Sequence, residues 1–430
     1  MSRKYYLLRN REVPDIDQLA VYEAHDGYQA LRQALSQGNP QDIVDVVKNS
    51  GLRGRGGAGF PTGVKWGFLP KDGRRRYLVV NSDEAEPGTF KDRELIEHNP
   101  HQLIEGMIIA SYAIGAHEAY IYCRGEFLTG YEQLTRAVDE AYARGYLGEN
   151  ILDSGFELDI RVYRGAGAYI CGEESALLES LEGRRGNPRL KPPFPAIAGL
   201  YGMPTIVNNV ETIVNVPPLI TFGAQWYRSM GTDKSPGLKV MSVSGRVKRP
   251  GNYEIPLATP LRTLIEDYAG GMLAGRTVKA VIPGGSSVPL LTAAQLDTPI
   301  DYEAMMAAGT MLGSGGCIVL DDSVCMVSAA HRLVKFYREE SCGKCTPCRE
   351  GTYWMTDVLG RIDAGDGEER DLEVLLDIAD NMAGKCFCPL GDASLGFMVS
   401  AVTHFRAEFE RHVHEHRCPM GAKLYDTINH

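Results

Sequence analysis

The stretch ESCGKCTPCREG places Cys342, Cys345 and Cys348 in C-x-x-C-x-x-C spacing. That spacing lets successive thiolates converge on one inorganic cluster while the backbone N–H groups between them point at its sulfides and offset its negative charge. A fourth cysteine would complete a [4Fe–4S] site, and Cys386, Cys388 and Cys418 are the candidates. Cys388 and Cys418 each precede a proline, as the closing cysteine of ferredoxin-type runs does; Cys386 does not. Cys388 is the expected ligand because it falls between two expected helices, whereas Cys418 falls in an expected tail. A zinc knot is the competing chemistry, although zinc sites usually pair C-x-x-C with a second pair or with histidines. An all-cysteine site leaves no open position for substrate, which points to electron transfer. Cys123, Cys171, Cys317 and Cys325 lie among apolar neighbours and read as core thiols.

A second stretch, GLRGRGGAGFPTGVKWG over residues 51–67, carries seven glycines, and Gly54, Gly56 and Gly59 spell G-x-G-x-x-G. Glycine tolerates positive φ and lets backbone N–H groups approach a phosphate. The dinucleotide-binding form of this motif needs a strand before it and a helix directly after it. Here PQDIVDVVKNSG reads instead as a helix, with Pro40 near its start and Gly51 as its cap, and Pro61 blocks immediate helix continuation. The loop is therefore an anion-cradling turn of another kind. A second glycine turn, GAGAYICGEESALLESLEG, follows the expected strand ELDIRVYRG and opens a helix, the order that a phosphate or ribose site requires.

These residues need positioning elements, and 430 residues suffice for two to four domains. Residues 1–70 read as helical, then glycine-rich. Residues 71–237 alternate strands (RRYLVV, EAYIYC, ELDIRVYRG) with helices (NPHQLIEGMIIASYAIG, GYEQLTRAVDEAYARGYLG), an α/β domain. Proline-rich NPRLKPPFPAIAGLYGMP is expected to be a long ordered loop. Residues 238–325 carry short strands of an antiparallel or mixed sheet. Residues 326–430 read as a four-helix bundle, with helices expected over 323–340, 349–363, 371–382 and 393–412.

A net charge of −10 argues against nucleic-acid binding, because no basic stripe exists to release counterions. The beginning of the chain lacks the apolar core of a signal peptide, and the longest apolar run is broken by Ser111 and Tyr112. The expected location is cytoplasmic, with membrane contact only through partners.

Taken together, the glycine loop, NSDEAEPGTFKDR, YICGEESALLESLEG and SCGKCTPC…CPLG resemble, in this order, the family of NADH-binding, FMN-containing subunits of bacterial respiratory complex I. The resemblance runs from about residue 40 to 415. It implies a Rossmann-like FMN domain, a ubiquitin-like β-grasp module and a four-helix bundle carrying the [4Fe–4S] cluster. It implies FMN contacts at Gly54, Gly56, Lys65, Asn81, Asp83, Glu84, Asn208 and Asn209, with Gly172 counted among them at the edge of the nucleotide pocket. For NADH it implies Phe60, Phe68, Glu86, Tyr169, Glu173, Glu174, Lys191 and Phe194, with Glu174 beside the adenosine ribose, where its charge would disfavour a 2′-phosphate. For the cluster it implies Cys342, Cys345, Cys348 and Cys388. The implied activity is hydride transfer from NADH to FMN with no side-chain acid or base, then single electrons to the cluster. The implied partners are a thioredoxin-like [2Fe–2S] subunit and a large multi-cluster subunit at the inner face of the cell membrane. A diaphorase subunit of an NAD-linked formate dehydrogenase or hydrogenase is the nearest alternative, and a zinc-stabilised ligand-binding protein is an alternative of another class.

Overall fold

The run YLVVNS forms a strand buried along nearly its whole length, β1 (Tyr77–Ser82), as the interior of a parallel sheet requires. In the computed structural model, which describes residues 5–36 and 38–421, β1 pairs parallel with β2 (Glu118–Cys123) and with β4 (Thr205–Asn209). With β3 (Asp159–Arg164) the order is β3–β2–β1–β4. Strands β1 to β3 follow the expectation. β4 is not among the expected strands: TIVNN is short and ends in two asparagines, which strands disfavour. Chain order reverses between β1 and β4, so the crevice at their carboxyl ends is where such sheets bind ligands.

The described residues divide into two compact units. The first comprises residues up to Ala85, Phe90–Met241 and Asn252–Thr259. Its helix Pro100–Ile114 is buried on every face except at Tyr112. The amphipathic helix Leu128–Ala143 forms as expected. The helix Pro40–Ser50 begins at an Asn39 cap and ends at Gly51 in the left-handed region, φ 72°. The proline-rich loop holds only short turns of helix, Pro195–Ala198 and Leu200–Gly202, before β4.

The second unit comprises Glu86–Thr89, Ser242–Gly251 and residues from Pro260 onward. Its sheet is mixed. The Ser242–Gly245 half of β5 (Leu238–Gly245) runs parallel to β9 (Gly316–Asp321), which pairs antiparallel with β7 (Val278–Ile282). β8 (Leu291–Thr292) flanks β7. β6 (Gly251–Pro256), after the KRPGN turn, is not among the expected strands and lies almost entirely in the first unit.

Helices Met326–Glu340, Thr346–Ala364, Asp371–Met382 and Pro389–Glu415 pack around Met355, Leu359, Leu375, Phe397 and Phe409. Two begin three or four residues earlier than expected, at Thr346 and Pro389, because Pro347 and Pro389 occupy first-turn positions where a missing N–H costs nothing. The last also runs on to Glu415, past its expected end at His412. Residues 422–430, the tail of the expected bundle region, lie outside the described residues.

Candidate functional site

The glycine loop folds back on itself: Thr62 N donates to Leu52 O (2.8 Å) and Gly54 N to Phe60 O (2.9 Å). A helix precedes it and the short helix Thr62–Trp66 follows, so it lacks the strand-first order of a dinucleotide turn, as expected. The buried Arg55 anchors it, with N to Thr212 Oγ1 (2.8 Å) and Nη2 to Tyr227 OH (2.9 Å). Left-handed backbone occurs at Gly59 (φ 64°). Gly56 is required for another reason: a Cβ there would stand 2.9 Å from Asn209 Cβ. At Gly54 and Gly172 a Cβ would meet only ordinary contacts, 3.6 Å from Phe60 O and from Asp83 O. The protein's own packing demands glycine at neither position, and the room left suits a planar ring laid against backbone. The residues present therefore fit a flavin.

At the strand ends Asn81 lies opposite Asn209 in register. Asn81 Nδ2 donates to Gly172 O (2.8 Å), which ties β1 to the second glycine turn, and Asp83 N donates to Asn81 Oδ1 (3.0 Å). Asn208 Oδ1 accepts from Trp66 Nε1 (2.9 Å). Asn209 caps the next helix by accepting from Glu211 N (3.0 Å) and donates to Asp92 Oδ2 (2.6 Å). Both oxygens of Glu84 accept backbone N–H groups, from Asp92 (2.9 Å) and Arg93 (3.0 Å). Burial, with Asp92 adding to it, pushes the Glu84 carboxyl up to about 7.

A buried ionic network within the same unit escapes sequence reasoning. Lys91 Nζ lies 2.7 Å from Asp92 Oδ1 and 2.9 Å from Glu211 Oε2, and Lys239 Nζ lies 2.6 Å from Glu211 Oε2. Burial alone would raise the Glu211 carboxyl, but the two ammonium groups hold it below its usual range; burial pushes Lys239 down to about 7. The adjacent opposite charges in FKDR were the available signal, but charge pairs normally mark solvated surface.

The nucleotide candidates form a balanced charge cluster. Lys65 Nζ contacts Glu174 Oε2 (3.0 Å) and Val207 O (2.9 Å), while Lys191 Nζ contacts Glu173 Oε1 (2.8 Å) and Glu174 Oε1 (3.1 Å). Burial would raise the Glu174 carboxyl, but Lys65 and Lys191 hold it below the usual range. Glu174 thus carries a charge compensated by two lysines. Glu173 caps the helix Glu174–Leu181, accepting from Ser175 N and Ala176 N, both at 3.0 Å. Tyr169 opens the turn Tyr169–Gly172 just before it. Phe60, Phe68 and Phe194 are 46%, 51% and 57% exposed, apolar faces available to a ligand, and the Phe60 and Phe68 rings lie 5.8 Å apart. Glu86 belongs to the second unit, where its Oε1 accepts from Ser287 N (2.7 Å) and Ser286 Oγ (3.3 Å).

The cysteine loops of the second unit meet. Phe387 N donates to Cys345 Sγ (3.4 Å), and Lys344 Nζ lies 4.0 Å from the Phe387 ring centroid. Cys345 and Cys388 are the residues immediately preceding helices Thr346–Ala364 and Pro389–Glu415, and neither side chain caps its helix, so the first-turn N–H groups can offset negative charge on a cluster. These donors suit a cluster of Cys342, Cys345, Cys348 and Cys388. Cys386 packs instead into the space over Gly391, where a Cβ would stand 2.2 Å from its Sγ. Burial, with Cys345 and Cys348 adding to it, pushes the Cys386 thiol up to about 12. Cys418 lies elsewhere, beside Cys325 and His412.

Comparison with known proteins accords with this division. The family model of the Nuo51 FMN-binding domain matches residues 47–218, that of the SLBB domain residues 239–319, and that of the NADH-ubiquinone oxidoreductase-F iron–sulfur binding region residues 328–412. An FMN-binding domain and a 4Fe–4S region thus share one polypeptide. The second F-type subunit of the NADH-quinone oxidoreductase of Rhizobium meliloti (strain 1021) is 55% identical over 96% of this chain and 98% of its own. The F-type counterpart of Mycobacterium tuberculosis (strain H37Rv) is 54% identical over 96% and 95%. Crystal structures of the NAD+-reducing [NiFe]-hydrogenase match at TM-score 0.82 and 38% identity in the air-oxidized state, over 96% of this chain and 67% of that one. The H2-reduced state matches at 0.80 and 39%, over 89% of this chain and 63% of the hydrogenase chain. The chain belongs to the family of F-type subunits of NADH-quinone oxidoreductase. No helix among the described residues is long and apolar enough to cross a membrane.

Proposed function

We propose that this chain is the NADH-oxidising subunit of a complex I, holding FMN at the carboxyl ends of β1 and β4 and a [4Fe–4S] cluster between the cysteine loops. The observation that carries the flavin site is the pair Gly54 and Gly172, where the protein's packing does not demand glycine. When bound, FMN accepts a hydride from NADH and returns electrons singly, which matches a two-electron donor to a one-electron cluster. Asn81 and Asn208 are held by Gly172 and Trp66 and so present fixed amides to the ring. Lys65 sets positive charge at an anionic cofactor while staying paired to Glu174. Phe60, Phe68 and Phe194 supply faces on which nicotinamide and adenine can stack. Cys342, Cys345, Cys348 and Cys388 are the cluster ligands.

The finer architecture follows the same reading: a Rossmann-like domain over 71–237 behind the segment 1–70, a ubiquitin-like β-grasp module over 238–325 and a four-helix bundle over 326–430. A thioredoxin-like [2Fe–2S] subunit and a large multi-cluster subunit are the partners, in an assembly at the inner face of the cell membrane. The test is anaerobic mixing of the purified chain with NADH. Flavin absorbance bleaches and a reduced-cluster paramagnetic signal appears; in Cys342→Ser the bleaching persists and the signal is lost. Flavin that fails to bleach refutes the reading.

A further inference from the structure

Cys325, His412 and Cys418, away from the two cysteine loops, bring their ligand atoms within 4.8 Å of one another. Cys325 is 2% exposed and His412 fully buried, while Cys418 is partly exposed. The three come from separate places: the residue before helix Met326–Glu340, the last turn of helix Pro389–Glu415, and the segment just beyond that helix.

The imidazole is oriented for ligation. His412 Nδ1 lies 2.8 Å from Glu408 O. A carbonyl only accepts, so Nδ1 donates to it and Nε2 is the nitrogen left for a ligand. Nε2 stands 3.2 Å from Cys325 Sγ. A backbone carbonyl holding the far nitrogen is the usual support of a metal-bound histidine.

Cys325 occupies the N-cap position of its helix. Its Sγ accepts from Ser328 N (3.5 Å) at the start of a helix of 15 residues, where the helix dipole favours negative charge. Ligand atoms around a tetrahedral zinc lie roughly 3.5 to 3.8 Å apart, given bond lengths of about 2.0 Å to nitrogen and 2.3 Å to sulfur. The nearby Glu408 carboxylate is already committed to Lys279 Nζ and Met326 N, at 2.6 and 2.7 Å, so a fourth position falls to water.

We propose that Cys325, His412 and Cys418 form a site for one zinc ion, separate from the iron–sulfur cluster, that fastens the segment after the last helix to the start of helix Met326–Glu340. No electron changes hands; the two thiols release their protons to solvent on binding.

The test uses the full chain, purified with its flavin and cluster and without chelators. Elemental analysis should find about one zinc per chain, and zinc K-edge absorption should resolve two sulfur and one nitrogen ligands with a light fourth scatterer. His412→Gln and Cys418→Ser should each lower zinc retention against a competing chelator by about tenfold or more, with FMN and acid-labile sulfide unchanged. Cys418 is partly exposed, so its substitution leaves the buried core in place, and the wild-type measurement needs no variant. A chain that holds no zinc and takes up none from added zinc chloride overturns the proposal. Zinc that survives Cys325→Ser with Cys418→Ser, or a Cys325–Cys418 disulfide found by peptide mapping, overturns it equally.

Discussion

Gly54 and Gly56 look alike in the motif and differ in what holds them. A methyl group on Gly56 would stand 2.9 Å from Asn209 Cβ, tighter than real contacts allow, so the chain itself needs glycine there. On Gly54 the same methyl meets an ordinary contact at 3.6 Å. Gly56→Ala should therefore lower the melting temperature of the flavin-free chain and weaken FMN binding. Gly54→Ala should leave that temperature unchanged while weakening FMN binding about tenfold, roughly 1.4 kcal/mol. Equal FMN affinity in Gly54→Ala and wild type, by fluorescence titration, would place the ring elsewhere. The cysteine spacing and the glycine loop were legible because their chemistry depends on residues a few positions apart. The partners of Lys91 and Glu174 were not: Glu211 and Lys65 meet them only after folding, across more than a hundred residues.

Local patterning carried the helix Pro40–Ser50, with its proline start and glycine end, and strands β1 to β3. It missed β4, which ends in two asparagines, and β6, whose first two residues, Gly251 and Asn252, read as turn. Helix starts at Thr346 and Pro389 were set too late by treating the cysteine loops as coil, and those starts matter chemically. Because Cys388 directly precedes a helix and Cys386 is a partly buried thiol raised to about 12, packed over Gly391, the two should behave differently. Cys388→Ala should abolish the cluster's paramagnetic signal, whereas Cys386→Ala should keep the signal and the iron content. Loss of iron in the Cys386 variant would exchange their roles.

Across the whole molecule, stability should depend on pH through buried carboxyls in the first unit. Glu254 accepts N–H groups from Tyr6, Leu7 and Leu8, at 2.9 Å each. Burial nonetheless pushes its carboxyl up to about 7, as it does for Glu84. A carboxyl raised on folding binds its proton more tightly in the folded state. Its contribution is therefore full below the ordinary value of 4.5 and is lost as pH rises through about 7. Lys239, pushed down to about 7, acts oppositely above that pH, adding stability as pH climbs toward the ordinary lysine range. Glu254→Gln should flatten the fall in melting temperature between about pH 5 and 7; curves parallel to wild type would show that Glu254 does not titrate there.

The Glu254 clamp also has a temporal meaning. The polypeptide leaves and re-enters the first unit, at Ala85, Thr89, Met241, Gly251 and Thr259, and its opening residues are gripped by a side chain that lies 248 positions from Tyr6. During synthesis the ribosome must therefore deliver 248 residues beyond Tyr6 before that stretch can be fastened. Until then Tyr6 to Leu8 lack the Glu254 carboxylate, a stretch open to chaperones and proteases while those residues are being added.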